Sequence, residues 1–263
     1  MTPVRDRTAW LQGGDAVCVQ PPAVVQRTWR LILLGPPGCG KGTQAGLLAH
    51  ALGACALSTG EIFRAARGRP APPGSLMAAA QKQMEHGDLV SDDTVLALIG
   101  QRGRCLHCSG GFMLDGFPRT LAQARAIDAL LAREHIQFDA VINYELPLAE
   151  IVGRITGRRV CPQCQAVFHA ASRPPHTAGV CDQCGGRLGQ RPDDQLEAVH
   201  VRLDAYAAAT TLLAGYYRAK GLLMTIDATG RPEDILARTL DALAGLVLPP
   251  LNSTGVAPLP CHV

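Results

Sequence analysis

The chain is short of lysine, of net charge and of long apolar runs. Only Lys41, Lys82 and Lys220 are lysines, and the remaining basic side chains are arginine. A net charge of +3 is too mild for a nucleic acid or a membrane surface to be the main partner. Charged residues make up 18% of the 263 positions and hydrophobic ones 47%, which argues against global disorder. The length suits one large domain with insertions or two small ones. No apolar run approaches the roughly 20 residues of a membrane span. The N-terminal stretch has no apolar core of secretory type, and Asp6 and Asp15 count against an organelle transit segment. A cytoplasmic chain is therefore expected. In a reducing compartment, ten cysteines point to metal or free thiols rather than disulfides.

One stretch organises the rest. The apolar run at 31–34 leads into Gly35-Pro-Pro-Gly-Cys-Gly-Lys-Gly-Thr43, and a helical pattern follows over 44–52. Strand, glycine loop and helix start make an anion site, because loop N–H groups converge and the helix N-terminus adds partial positive charge. The glycines allow the backbone to approach phosphate closely. Lys41 is spaced to reach the β- and γ-phosphates of a triphosphate. A glycine turn without a ligand is the plain alternative, and the lysine spacing counts against it. The strict pattern has Ser or Thr straight after the lysine. Here Gly42 stands there and Thr43 follows, which weakens the case for a loop hydroxyl on Mg2+.

Down the chain, short apolar runs alternate with helical patterns. Strands are expected at 29–34, 54–57, 111–115, 139–145 and 222–226. Helix starts are marked by Ser58 or Thr59, by Ser91-Asp-Asp-Thr94, by the turn through Pro118, by Arg191-Pro-Asp-Asp194 and by Pro232. This alternation means βαβ units and an α/β fold with a five-stranded parallel sheet. Two insertions interrupt it, a helical one at 58–90 and a cysteine-bearing one at 157–194. Residues 1–28 and 247–263 carry no such pattern and read as disordered flanks of a domain at 29–246. Asp115 ends a strand, where P-loop enzymes keep a Mg2+-organising carboxylate. Open parallel sheets bind ligands at that edge, and Arg119, after the turn, projects toward it.

Cys161-Pro-Gln-Cys164 and Cys181-Asp-Gln-Cys184 stand sixteen residues apart. Two such knuckles fit a tetrahedral four-thiolate zinc site of structural type. A segment this short has little core, and a metal crosslink supplies what burial cannot. Unligated thiols are the alternative. Cys105-Leu-His-Cys108 is a third pair, but it has no partners.

Arginines gather at element edges: Arg64, Arg119, Arg154, Arg158, Arg159, Arg191 and Arg202. Singly, each reads as a solvated surface residue; together they match phosphoryl transfer, which is mostly positioning and charge neutralisation. A phosphate acceptor with a second pKa of about 6 is already ionised near pH 7. No general base is then needed, and no His/Asp pair is arranged as one. Water is the competing acceptor, so insertions that close over the site have a chemical purpose.

At this point the chain resembles the adenylate kinases, in the long form with a zinc-binding lid. The resemblance rests on the phosphate loop through Gln44, Ser58-Thr-Gly-Glu-Ile-Phe-Arg64, Asp115-Gly-Phe-Pro-Arg-Thr120, Gly157-Arg-Arg159 and Arg191-Pro-Asp-Asp194. It covers about 29–246 in the family's order. It implies a P-loop core with an AMP-binding insertion and a lid, and the reversible reaction of ATP and AMP to two ADP with Mg2+. It implies ATP contacts at Gly38, Cys39, Gly40, Lys41, Gly42 and Thr43, at Arg154, Arg158, Val167 and Phe168, and at the backbone near Gly230 and Arg231. AMP contacts are implied at Thr59, Arg64, Asp88, Leu89, Val90, Gly116, Phe117, Pro118, Arg119 and Gln123. Arg191 and Arg202 match the residues bridging AMP and the transferred group. Lys41, Arg119, Arg158, Arg191 and Arg202 are thus the implied catalytic set. Cys161, Cys164, Cys181 and Cys184 are the zinc ligands and Asp115 an indirect magnesium contact. A monomer acting on ATP, AMP and ADP, with no nucleic acid or membrane partner, is expected.

Several positions depart from the family pattern. Residues 68–74 are longer and richer in proline than the usual AMP-binding segment, and the turn at 227–230 carries an extra residue. Three other readings stay open. They are a kinase with another monophosphate acceptor or GTP as donor, a nucleotide-binding module without turnover, and a zinc-ribbon nucleic-acid binder. The last is disfavoured by the absence of a dense basic patch.

Overall fold

In a computed structural model, residues 27–246 are described, apart from 67–70, 86–89, 102–105, 108–109, 165 and 192–193. The expectations for both termini, for Asp88 and Leu89, for Cys105 and Cys108, and for residues 68–70 of the 68–74 segment lie outside the described residues. Strand β1 (Trp29–Leu34) forms because its apolar residues can be buried on both faces. Leu31 and Leu33 face one layer of helices, and Ile32 and Leu34 the other. Leu31, Ile32 and Leu33 are at most 1% exposed, and each such side chain contributes about 1.5–3 kcal/mol of burial. Helix α1 (Lys41–Leu52) starts directly from the glycine loop and ends at Gly53 in the left-handed conformation.

Strands β2 (Cys55–Ser58), β3 (Gly111–Asp115) and β4 (Ala140–Glu145) follow, and β7 (Leu223–Asp227) comes near the end. With β1 they make one parallel sheet in the order β2-β3-β1-β4-β7. Register aligns their C-terminal ends: Ser58 pairs with Asp115, Leu33 with Asp115, Leu34 with Asn143, and Glu145 with Asp227. The chain passes to one side of β1 for β2 and β3, then to the other for β4 and β7. The loops leaving the strands therefore open a crevice at the reversal, where sheets of this kind bind ligands.

Between β2 and β3 lie α2 (Thr59–Ala66), α3 (Leu76–Glu85) and α4 (Asp92–Gln101). Ser75 Oγ accepts the Ala78 N–H at 3.1 Å, and Ser91 Oγ accepts the Thr94 N–H at 3.3 Å, which fixes the starts of α3 and α4. Helix α5 (Leu121–Arg133) starts at Thr120, whose side chain accepts the Gln123 N–H. Helix α6 (Leu148–Thr156) leads into the cysteine segment. There β5 (Arg158–Val160) pairs antiparallel with β6 (Val167–His169) around Cys161, Phe168, Cys181 and Leu188. Helices α7 (Leu196–Ala219) and α8 (Pro232–Ala244) complete the layers. No helix among the described residues is long and apolar enough to cross a membrane.

Two local expectations change. Strand β2 runs one residue further, because Ser58 stays in the ladder opposite Asp115 and donates its hydroxyl to Asp115 Oδ2 at 2.9 Å. Ser58 is thus the last strand residue, directly before the helix that starts at Thr59. The long helix α7 begins after Gln195 with no side-chain cap bond. The Asp194 carboxylate, just before that start, accepts the Arg158 fork.

Candidate active site

The glycine loop is held tightly against α6. Gly38 has φ +83°, and a Cβ there would lie 2.4 Å from Ile155 Cγ1. Ile155 is fully buried and has nowhere to move. Lys41, the first residue of α1, turns its ammonium back into the loop. Its Nζ donates to Gly35 O and, at 2.9 Å, to Pro36 O, with Cys39 Sγ at 3.7 Å. Cys39 is buried beneath. Arg154 on α6 ties this loop to the turn after β7. It donates to Cys39 O at 3.4 Å, Ala228 O at 2.9 Å and Gly230 O at 3.4 Å, and pairs with Glu150 at 3.4 Å. Gln44 fixes α1 to the start of α8 through Pro232 O at 2.9 Å. At the start of that helix Arg231 is exposed and forks onto Asp234 at 3.1 Å through two bonds. The Thr229 N–H and then its hydroxyl hold Asp227, at the end of β7, below the usual carboxylate range.

On the other side of β1, Asp115 is buried at the end of β3 and receives Ser58. Gly116 turns the chain with φ +82°, and a Cβ there would come within 3.2 Å of Thr59 Oγ1 and 3.5 Å of Arg119 Nη2. Thr59, Gly116 and Arg119 thus meet at one point. Arg119 Nε donates to Gly116 O at 2.7 Å. Phe117 is buried, and its peptide bond to Pro118 is cis. Gln123, in the first turn of α5, accepts the Arg119 N–H at 2.6 Å and donates to Asp92 at 2.6 Å. Val90 packs on the core beside α4. Arg64 lies on α2 and Arg202 on α7, but their side chains are outside the described part.

At the base of the cysteine segment, Arg158 forks onto Asp194 through Nε, at 2.8 Å, and Nη2. Asp194 is fully buried while Arg158 is 20% exposed. Arg191 is half-buried, three residues before Asp194. Arg159 is satisfied by Thr156 O and Arg158 O at 2.9 and 2.8 Å. Val167 is exposed, whereas the Phe168 ring is buried under Leu188, so only the Phe168 backbone faces outward chemistry. Two hinge residues give no signal in the sequence. Gln190 bridges Thr156 O and Asp194 O at 3.2 and 3.0 Å. The His169 ring lies over Gly157, with Nε2 3.3 Å from Gly153 O. Neither belongs to a recognisable motif.

The four cysteines of the two knuckles converge, with all four Sγ within 4.8 Å of one another. Cys161 and Cys184 are 3.4 Å apart, and Cys164 and Cys181 3.5 Å. A tetrahedral zinc with bonds of about 2.3 Å spaces its sulfurs by about 3.8 Å, so the cluster fits such an ion. Burial pushes the Cys161 thiol up, but the N–H groups of Cys164 and Gln163 outweigh it and bring it down to about 7. Burial, aided by the neighbouring sulfurs, pushes Cys164 up to about 12. Four thiolates cannot share this space without a cation. No disulfide joins any of the six described cysteines.

A parallel sheet with a glycine loop leaving β1, flanked by an arginine-bearing edge and two insertions, defines a P-loop phosphotransferase. The adenylate kinase family model matches residues 33–222. An adenylate kinase of Carboxydothermus hydrogenoformans is 47% identical over 214 residues, covering 81% of this chain and 99% of that protein. Those of Streptomyces avermitilis and Streptomyces griseus are 46% and 45% identical over 215 residues, covering 81% of this chain and 96% and 97% of theirs. The chain belongs to the adenylate kinase family. It is a nucleoside monophosphate kinase that phosphorylates AMP, with ATP, AMP and ADP as its substrates.

Proposed function

We propose that the crevice on either side of β1 divides the two nucleotides. The loop at Gly38, Cys39, Gly40, Lys41, Gly42 and Thr43 takes the ATP phosphates. Arg154, Arg158, Val167 and the backbone of Phe168, Gly230 and Arg231 complete the donor side. Thr59, Arg64, Gly116, Arg119 and Gln123, with Val90 and its neighbours, take AMP, and Arg191 and Arg202 bridge to the transferred group. The observation that carries this reading is the pair of arrangements flanking β1. Lys41 folds into the glycine loop on one side, and Thr59, Gly116 and Arg119 meet on the other. An AMP phosphate oxygen attacks the γ-phosphorus as the bond to the β-γ bridging oxygen breaks. The acceptor is ionised already, so no side chain removes a proton. Lys41, Arg119 and Arg158 neutralise charge and hold the oxygens in line.

Asp115 would be the residue that orients the Mg2+ bound with ATP, which would supply charge neutralisation on the phosphates. Cys161, Cys164, Cys181 and Cys184 hold one structural zinc that braces residues 157–194 as a lid, with 58–90 as the AMP-binding insertion. The protein works as a cytoplasmic monomer.

The test is a panel of ATP and GTP against AMP, UMP, CMP and GMP. ADP formation from ATP and AMP is expected to dominate and to fall at least about 100-fold on Lys41→Ala, Arg119→Ala or Arg158→Ala. UMP or CMP outperforming AMP, or ATP binding without turnover, would overturn the reading.

A further inference from the structure

We propose that Asp92 sets the polarity of the Gln123 carboxamide and thereby makes the acceptor site select 6-aminopurines over 6-oxopurines. This rests on the reading that Gln123 faces the acceptor base. Asp92 lies 31 residues before Gln123, in the first turn of α4, and its carboxylate accepts Gln123 Nε2 at 2.6 Å. The Arg119 backbone N–H donates to Gln123 Oε1, also at 2.6 Å. The Gln123 backbone is itself fixed by Thr120 Oγ1 at 3.2 Å.

An amide N–H can only donate, and an ionised carboxylate can only accept. Between these two partners the carboxamide has one allowed orientation. Flipping it would set Nε2–H against the Arg119 N–H and Oε1 against the Asp92 carboxylate, turning both contacts repulsive. In the allowed orientation Oε1 keeps a second lone pair and Nε2 a second proton. That unused edge offers an acceptor beside a donor. A 6-aminopurine presents an amino N–H donor beside a ring-nitrogen acceptor, which matches it. A 6-oxopurine presents a carbonyl acceptor beside a ring N–H donor, which opposes it at both positions. A site built to hydrogen-bond one pattern rejects the reversed one strongly, because its own polar groups are left unpaired. Asp92 touches neither the reacting atoms nor the base, so it is a positioning residue for specificity.

The experiment compares kcat/KM for AMP and inosine monophosphate, with ATP as donor, in the wild type, Asp92→Asn and Asp93→Asn. The asparagine at 92 can donate or accept, so it no longer enforces one orientation. The ratio of inosine monophosphate to AMP use is expected to rise about tenfold in Asp92→Asn, reflecting loss of a charge-assisted bond. The KM for ATP should not move. Asp93→Asn removes the same charge from the same helix turn and should leave the ratio as in the wild type. An unchanged ratio in Asp92→Asn, or an equal rise in Asp93→Asn, overturns the role of Asp92 alone. A wild type that uses inosine monophosphate as readily as AMP overturns the reading of Gln123 as the base contact, and this inference with it.

Discussion

Removing metal from the lid should unfold the lid and spare the sheet. The apolar side chains buried within the cysteine segment are Val160, Phe168 and Leu188. At about 1.5–3 kcal/mol each they supply roughly 5–9 kcal/mol, an upper bound because unfolded chains also bury surface. A four-thiolate zinc supplies about 10–16 kcal/mol at pH 7. The metal therefore stabilises the segment more than its apolar burial does, and the segment should not hold its shape without it. Binding must expel protons, most of all from Cys164, whose thiol is pushed up to about 12. Metal affinity should therefore rise with pH and fall as Cys161, at about 7, is protonated below neutrality. The assay combines metal analysis with limited proteolysis of holo, chelated and Cys164→Ser protein. One zinc per chain is expected, with cleavage confined to 157–194 in the chelated and substituted samples and the sheet protected in all. Reduced protein that carries no zinc, or equal lid protection with and without it, would refute the reasoning.

Three other perturbations follow from named contacts. Gly38→Ala forces a Cβ into Ile155 at a left-handed backbone position. The strain is about 1–2 kcal/mol before any clash, so ATP affinity should fall at least about tenfold by calorimetry; wild-type affinity would contradict it. Asp194→Asn strips the charge from the Arg158 fork. Losing one partner of a fully buried pair costs about 3–5 kcal/mol. Arg158 is partly exposed and asparagine keeps one acceptor, so about 2 kcal/mol is expected, read as a melting temperature lower by about 4–8 °C. A shift under about 1 °C would show that the pair is not what holds the hinge. Gln190→Ala removes both bonds across the hinge. Proteolysis of the lid should quicken a few-fold while global melting moves by no more than about 2 °C, and a large drop in melting would give Gln190 a different role.

The core is readable from sequence because its code is local. The apolar run of β1 and the glycine loop after it announce themselves within a single short stretch. Sheet order is not local: nothing within Trp29–Leu34 specifies that β3 and β4 flank it. The lid hairpin leaves no trace in the sequence because three-residue strands are too short to show a period of two. Asp194 reads as a helix opener by type and position, yet its partner Arg158 is 36 residues away. Asp92 likewise reads as a first-turn acid, and only folding brings it to Gln123. Each of these depends on a contact between distant segments. Side-chain chemistry shows which contacts an acid could make, whereas topology decides which one it does make.

The partners of the site's described cations are not equivalent, and the difference bears on how the lid works. Lys41 donates to Gly35 and Pro36 carbonyls, Arg119 Nε to the Gly116 carbonyl, and Arg154 to the Ala228 carbonyl and to the exposed Glu150 carboxylate. Exchanging a neutral carbonyl for a phosphate oxygen turns a bond worth about 0.5–1.5 kcal/mol into one worth about 1.5–3 kcal/mol. Arg158 differs, because it is held by a carboxylate with no exposure of its own. Releasing it would gain little and would break a charge-assisted fork to a fully buried carboxylate, at a cost of several kcal/mol. Arg158 therefore has reason to keep Asp194 when nucleotide binds. The fork uses two of its five N–H donors, and three are left over for phosphate. With Arg158 as the proposed ATP contact, Asp194 would act as a clamp that fixes a long side chain before ATP arrives, so its ordering cost would fall on folding and not on binding. Asp194→Asn should accordingly weaken ATP binding even where the protein remains fully folded, and calorimetry showing wild-type ATP affinity in the folded variant would remove the clamp.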